Sequence, residues 1–211
     1  MRNTLILTFL LLLFAACVPQ IPAAVMSAST PQPASDPARV VPDCDLKPVK
    51  APPYPRVIPG STHLDETTGL HMTGKVQNID LSAYRLRVIG LVETELSLQY
   101  DELRCLPKVT ADPLLVCRGF FEDKANWSGA PIAEILKLAK PLPDAATLTM
   151  ISADGFKKEL DLATAMNSEN FLAYELEGET LPILHGFPLR AVIPESEGNF
   201  WVKWIVEINI E

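Results

Sequence analysis

The uneven distribution of proline along this chain of 211 residues predicts one segment that cannot fold alone and one that can. Eleven of the nineteen prolines fall within residues 18–60, with alanine and serine between them. Such a segment favours extended conformations and holds too little apolar surface to form a core. We therefore expect a tether over residues 17–60. Residues 61–211, in which apolar segments alternate with turns, are expected to form one domain.

The first sixteen residues, MRNTLILTFLLLLFAA, have the layout of a secretory signal. A charged start precedes an apolar run that is too short to span a bilayer comfortably, and small residues follow. Cys17 comes next, in a context that resembles the lipobox of bacterial lipoproteins, where the signal is cut before a lipid-carrying cysteine. We expect an extracytoplasmic protein anchored to a bacterial cell membrane by lipid on Cys17. A plain secretory signal is the alternative.

Charge and histidine spacing argue against two classes of function. The formal net charge is -8, and removal of the signal deletes the charge of Arg2, which lowers it to -9. An acidic protein without a basic cluster is a poor candidate for binding nucleic acid. His63, His71 and His185 share no local spacing that is typical of a zinc site.

The pattern of apolar residues and turns predicts an α+β domain, with mixed β-sheets and a few short helices. Strands are predicted over residues 84–92, 96–100, 114–116, 146–152, 156–160, 171–176, 188–194 and 200–210. A short helical turn is predicted after Asp101 as its N-cap. Two further helices are predicted over residues 131–140 and 162–168.

Cys117 stands at the end of one of these strands, with a polar loop after it. Residues 114–116 are all apolar, which predicts a strand buried on both faces. Arg118 and Gly119 are hard to keep in a covered sheet, so the strand should end at Cys117. The thiol could be a small buried hydrophobe, half of a disulfide, a nucleophile or a metal ligand.

The order of segments from about residue 84 to residue 210 resembles the molybdopterin-binding domain of the sulfite oxidase family of oxidoreductases. The matching pieces are RLRVIGLVETELSLQYDELRCLP, LLVCRGFFEDKANWSGAPIAEIL, SADGF, FLAYELEGETLPILHGFPLRAVIP and GNFWVKWIVEINI. In this family a cysteine thiolate at a strand end binds molybdenum, and Cys117 matches that position. The resemblance implies a sulfite-oxidase-like fold, a molybdenum-molybdopterin cofactor, and two-electron or oxygen-atom transfer at the metal. It also implies a possible redox partner protein.

The resemblance implies a set of cofactor contacts as well. His185 and Arg190 match the histidine and arginine of the family's HGxPxR segment, which contact the pyranopterin and its phosphate. Lys203 matches a lysine near the cofactor, where the backbone of Trp201 and Val202 also contributes.

Asp154 matches an acidic position of the site, and Trp127 and Gly129 match framework positions before a helix. If the positive groups surround Cys117, we expect them to lower the pKa of its thiol. Without a cofactor, Asp154 would simply occupy a hairpin turn, and Arg190 would be an outward charge on a strand.

Three features depart from the family pattern. Gly74 and Lys75 stand where larger members have asparagine and histidine in a phosphate-binding stretch. The chain ends eight residues after Lys203 (211 − 203 = 8), so we expect no downstream dimerisation domain. The signal has the single Arg2 rather than the arginine pair that exports folded proteins. The last two departures favour an alternative, in which a cofactor-free descendant of the fold is a ligand- or protein-binding lipoprotein.

Three cysteines remain after Cys17. In an oxidising compartment Cys44, Cys105 and Cys117 leave one thiol unpaired. If Cys117 is a metal ligand, the other two are left over, and we predict a disulfide between them that ties the end of the tether to the domain. Two unpaired thiols are the equal alternative.

Overall fold

The structure is a computed structural model that describes residues 40–211. The predicted signal, Cys17 and the first part of the predicted tether lie outside the described residues. The helices and strands, in chain order, are β1 (Leu64–Asp65), β2 (Leu70–His71), β3 (Leu86–Gly90), β4 (Leu96–Leu98), α1 (Tyr100–Arg104), β5 (Val109–Ala111), β6 (Leu114–Cys117), β7 (Phe121–Lys124), β8 (Trp127–Pro131), α2 (Ile132–Ala139), β9 (Thr147–Ser152), β10 (Lys157–Asp161), α3 (Leu162–Ala165), β11 (Phe171–Leu176), β12 (Glu179–Thr180), β13 (Arg190–Val192) and β14 (Ile205–Ile210). None of the helices between residues 40 and 211 has the length and apolar character needed to cross a membrane.

Two five-stranded sheets form the body of the domain. The first has the order β10-β9-β14-β3-β4, in which β14 and β3 are parallel and the other pairs antiparallel. In the second sheet β11 pairs with β8 along one edge and with β12 and β13 along the other, and β5 pairs with β8. Hairpins β1-β2 and β6-β7 are separate. Mixed sheets with three short helices confirm the predicted α+β class.

The main hydrophobic core joins side chains from both sheets and from α1 and α2. Strand β11 is covered on both faces. Its Leu172 and Tyr174 lie in the main core, whereas Phe171 and Ala173 pack in a second cluster with Trp201 and the β6-β7 hairpin. A strand with two buried faces places any residue on its neighbour β13, including Arg190, inside the protein.

Strands β8 and β11 approach each other closely at Gly129. A Cβ atom at this position would lie 1.9 Å from the carbonyl oxygen of Leu172, so a side chain there would force the strands apart. Trp127 on the same strand is buried in the second cluster. Both residues are framework residues, although they lie in strand β8 rather than in a turn.

Two predictions about strands were wrong. Strand β6 is covered on one face only: Leu115 is buried, whereas Leu114 is 48% exposed. The polar loop expected after Cys117 is a tight turn at Gly119 (φ 81°) followed by strand β7. Because strand β7 was not predicted, the position of Asp123 on it was not predicted either.

Two boundaries also differ from the predictions. The strand predicted over residues 200–210 begins at Ile205, and Trp204 before it has a φ of 52°. Helix α1 begins at Tyr100 rather than after Asp101. The side chain of Glu102 accepts the backbone N–H of Gln99, which makes Gln99 the N-cap, two residues before the predicted one.

The end of the proline-rich segment is fastened to the domain. Cys44 and Cys105 form a disulfide with their Cα atoms 5.6 Å apart, which confirms the predicted pairing. Val41 is buried, and Val49 packs against the main core. Residues 41–49 therefore lie on the domain.

Candidate active site around Cys117

A cavity of about 240 Å³ opens beside Cys117 at the end of β6. Its walls come from the β2 end, the β6-β7 hairpin, the turn between β9 and β10, and residues 190–204. Six predicted site residues line it: Cys117, Asp154, Arg190, Trp201, Val202 and Lys203. Cys117 is half-buried and is the one free cysteine of residues 40–211. Its thiol therefore faces an open cleft rather than a sealed apolar core.

Arg190 is a buried cation with unused donors. The carbon at the centre of its guanidinium lies 4.7 Å from the ring centre of Trp127 and 5.7 Å from that of Trp201, in cation–π range. One long hydrogen bond of 3.5 Å runs from Nη1 to the carbonyl oxygen of His185, and Nε has no partner. Burial lowers the pKa of Arg190 to about 10, against the opposing effect of Asp123, so the guanidinium remains charged at neutral pH.

Lys203 is the second buried basic side chain in the same wall of the cavity. Its Nζ donates to the carbonyl oxygen of Leu184 at 3.1 Å and lies 5.0 Å from the ring centre of Trp204. Burial and the charge of Arg190 lower the pKa of Lys203 well below its usual range, and two carboxylates oppose them only in part. A negative ligand in the cavity would favour the charged form of Lys203.

Neither cation has a carboxylate within salt-bridge distance in the part of the chain that the structure describes. The indole N–H of Trp201 is also buried and without a partner. Together with Arg190 Nε, it gives the cavity wall two buried donors that bond to nothing. Since buried donors are almost always satisfied in folded proteins, the arrangement indicates an anionic or polar ligand.

His185 lies outside this cavity, contrary to its predicted place in the site. Its ring is fully buried, and its Nε2 contacts Oδ2 of Asp65 at 3.0 Å and Oγ1 of Thr68 at 2.8 Å. Burial, with the charges of Arg190 and Lys203, lowers the pKa of His185 to about 4. The β1-β2 hairpin and the turn within it therefore supply the partners of Nε2, whereas the buried Nδ1 has none, and the ring is neutral at neutral pH.

Asp154 lines the cavity, but its carboxylate supports the wall. Oδ1 accepts the backbone N–H of Phe156 at 2.9 Å, and Oδ2 accepts that of Lys75 at 3.1 Å. Burial would raise the pKa of Asp154, but these hydrogen bonds outweigh it and lower the pKa. Asp154 thus has the predicted hairpin-turn role, and it also fixes the loop of residues 73–75 over the cavity.

The prediction of a lowered thiol pKa was wrong for the protein alone. Burial raises the pKa of Cys117, and the negative charges of Asp123 and Glu197 raise it further. A metal ion at Cys117 would have to displace the proton, as metal binding to a thiol generally does.

Sequence analysis missed two residues of this site, His71 and Asp123. His71 lines the cavity, and its ring bonds to the buried carboxylate of Asp123. The register of the β6-β7 hairpin pairs Cys117 with Phe121, so Asp123, two residues further on, lies on the same face as Cys117. If the alternation of side chains between the two faces had been followed through the turn at Gly119 into β7, it would have placed Asp123 on the face of Cys117.

Comparison with known proteins shows where this cavity belongs. Residues 73–211 match the model of the oxidoreductase molybdopterin binding domain. The chain belongs to this family. The match includes all the residues that line the cavity except His71, and it confirms the resemblance to the sulfite oxidase family.

Three relatives illustrate the similarity. The chain is 32% identical, over 62% of its length and 50% of the relative's, to a protein of Azospira oryzae named as protein-methionine-sulfoxide reductase subunit YedZ1. It is 32% identical to sulfite oxidase of Arabidopsis thaliana, over 65% of this chain and 44% of that one. The structure of the sulfane dehydrogenase SoxCD from Paracoccus pantotrophus matches with a TM-score of 0.61 at 26% identity, over 64% of this chain and 40% of that one. The chain spans half or less of the length of each relative.

The residues present fit the cofactor that gives the family its name. The thiolate of Cys117 would be a soft ligand for a high-valent metal, and the side chain lines an open cleft. Arg190 and Lys203 have no anionic partner in the described region, and a phosphate would provide one. The unused N–H groups of Arg190 and Trp201 are buried in the same wall. Residues 40–211 contain no cluster of three or more histidine, cysteine, aspartate or glutamate side chains that could hold a metal ion.

Proposed function

We propose that this chain is a molybdopterin-dependent oxidoreductase whose Cys117 thiolate is the protein ligand to molybdenum. One observation carries the proposal: a free cysteine lines a cavity whose wall contains two buried basic side chains. Two buried N–H donors of that wall, Arg190 Nε and Trp201 Nε1, have no hydrogen-bond partner. When bound, the cofactor supplies two-electron or oxygen-atom transfer chemistry. The protein supplies the thiolate, the orientation of the cofactor and the contacts to its phosphate.

Each wall residue has a distinct part in this proposal. Arg190 offers a planar fork of donors to the phosphate, held by the rings of Trp127 and Trp201. Lys203 adds a compact second charge, stabilised once the anion is bound. The buried indole N–H of Trp201 would give the ligand a further donor, and Val202 also lines the cavity.

We further propose that the protein is anchored outside the cytoplasm by lipid on Cys17. The signal-like start and the alanines before Cys17 support this location. The Cys44–Cys105 disulfide also supports it, because disulfides persist in oxidising compartments. Electrons would pass to or from a redox partner protein. The name of the Azospira relative, a reductase subunit, is consistent with such an assembly.

Metal analysis tests the proposed cofactor. Full-length protein is purified from a host that synthesises molybdopterin, and molybdenum and pterin are measured per chain. We expect about one of each, and Cys117→Ser should remove redox activity while much of the pterin stays bound. Protein without molybdenum or pterin after such expression would contradict the proposal and favour a cofactor-free binding lipoprotein.

A separate experiment tests the anchor. Globomycin, which blocks the lipoprotein signal peptidase, should cause the uncut precursor to accumulate. Cys17→Ser should release the protein from the membrane fraction. Normal processing under globomycin, or a Cys17→Ser protein that stays with the membrane, would rule the anchor out.

A further inference from the structure

The imidazole of His71 is held in one orientation at the cavity. Its Nδ1 lies 2.6 Å from Oδ1 of Asp123, and its backbone N–H donates to Oδ2 of the same carboxylate at 2.8 Å. The ring stacks on Phe121 with the ring centres 4.4 Å apart and the planes 10° apart. Because a carboxylate only accepts hydrogen bonds, Nδ1 carries the proton and Nε2 is left as the free acceptor.

The surroundings of the pair suit proton transfer. Asp123 is 7% exposed, whereas the side chain of His71 is 26% exposed and lines the cavity. The charged and titratable groups around the cavity are Cys117, Asp123, Asp154, Arg190, Glu197 and Lys203.

We propose that His71, oriented by Asp123, is the proton acceptor and donor of this cavity, a role that rests on the proposed oxidoreductase function. Nε2 takes a proton from a water molecule or a substrate hydroxyl. Nδ1–H stays bonded to Asp123, whose charge stabilises the imidazolium. The proton then leaves Nε2 for solvent and the ring returns to its neutral form, so the group is unchanged after each cycle. Asp123 is a positioning residue and does not itself take up the proton.

The first test needs no cofactor. The full chain contains three histidines, so ¹⁵N-histidine labelling and single replacements assign each ring by NMR. In cofactor-free protein at neutral pH we expect His71 protonated at Nδ1, and a mixture of tautomers after Asp123→Asn. His63→Gln, an exposed position away from the cavity, should leave the His71 signals unchanged. A His71 ring with a bare Nδ1 would overturn the proposal.

The second test uses the molybdenum-loaded enzyme. His71→Gln should lower kcat by about 100-fold with little change in KM, since general acid–base catalysis typically contributes 10²–10⁴. Added imidazole should restore part of the activity of His71→Ala. An unchanged kcat in His71→Gln would overturn the role of His71 alone. A wild-type protein without molybdenum would overturn the proposed function and the catalytic role with it, whereas the tautomer measurement would still report whether the pair exists.

Discussion

The segment HGFPLR, residues 185–190, places the side chains of His185 and Arg190 in different environments. His185 is sealed: Asp65 and Thr68 surround its Nε2, and its ring has no exposed surface. Arg190, five residues on, reaches the cavity beside Cys117 with its Nε unpartnered. We call the group around Nε2 of His185 the sealed cluster, although Nδ1 of that ring has no partner, and the group of Arg190, Trp201 and Lys203 that lines the cavity the unfinished cluster.

The difference shows how a domain keeps a binding site available. Nε2 of His185 already has its partners and so has little left to offer a ligand, whereas Nδ1 of the same ring is buried without one. A buried cation with no counter-charge is costly to the protein alone, and a bound anion recovers that cost. We therefore propose that the unfinished cluster is the one that binds the ligand.

The largest expected effect is at the metal. Cys117→Ser should reduce redox activity to background, because serine keeps the size of the side chain but replaces the soft sulfur ligand. The fold and much of the pterin binding should remain, since the proposed phosphate contacts are those of Arg190 and Lys203. Activity, pterin content and circular dichroism are measured together. A serine variant that turns over as fast as the wild type would exclude thiolate ligation.

Arg190→Ala should sharpen the contrast between the two clusters. Loss of charge-assisted contacts to a phosphate costs about 1.5–3 kcal/mol, which corresponds to about 10- to 100-fold weaker cofactor retention. The rate of molybdenum release from loaded protein measures it. Arg87→Ala is the matched control, since Arg87 is an exposed arginine paired with Glu207. Equal release from the two variants would remove Arg190 from the cofactor site.

The sealed cluster should make the folded protein sensitive to acid. The pKa of His185 is about 4 in the folded protein, against about 6.5 in the unfolded chain. The unfolded state therefore takes up a proton first, and the stabilisation present above pH 6.5 is lost as the pH falls toward 4. Between pH 7 and pH 5 the free energy of unfolding should fall by about 2 kcal/mol from this group.

Urea unfolding at a series of pH values measures this loss. His185→Gln should flatten the dependence on pH whatever its effect on overall stability. The matched control His63→Gln alters an exposed ring and should keep the slope of the wild type. If His185→Gln keeps that slope too, the ring of His185 is not held neutral by its surroundings.

The fold was largely predictable where local pattern and tertiary context agree. Strand β11 matches its predicted range of 171–176 residue for residue. The predicted strand over 200–210 failed at its start, although the residues there are aromatic and β-favouring. The backbone of Lys203 forms only an isolated β-bridge with that of Arg190, and Trp204 has a positive φ, because this stretch forms the wall of the cavity. Packing around the site overrides propensity there.

The site was predictable as a set of residues, but their individual partners were not. Family resemblance gathered Cys117, Arg190 and Lys203, which the structure brings to one cavity. It misplaced His185, whose partner Asp65 lies 120 residues earlier in a two-residue strand that carries no periodic signal. The same limit hid the pairing of His71, also in a two-residue strand, with a carboxylate 52 residues away.

One spectroscopic comparison tests the central claim, that the unfinished cluster holds the cofactor. Indole and guanidinium N–H signals are recorded for protein with and without bound molybdopterin. We predict that the Trp201 indole and Arg190 Nε signals shift on loading. The Trp204 indole already donates to the carbonyl oxygen of Ile183 at 2.8 Å, and its signal should stay in place. Identical Trp201 and Arg190 signals in the two forms would contradict the account.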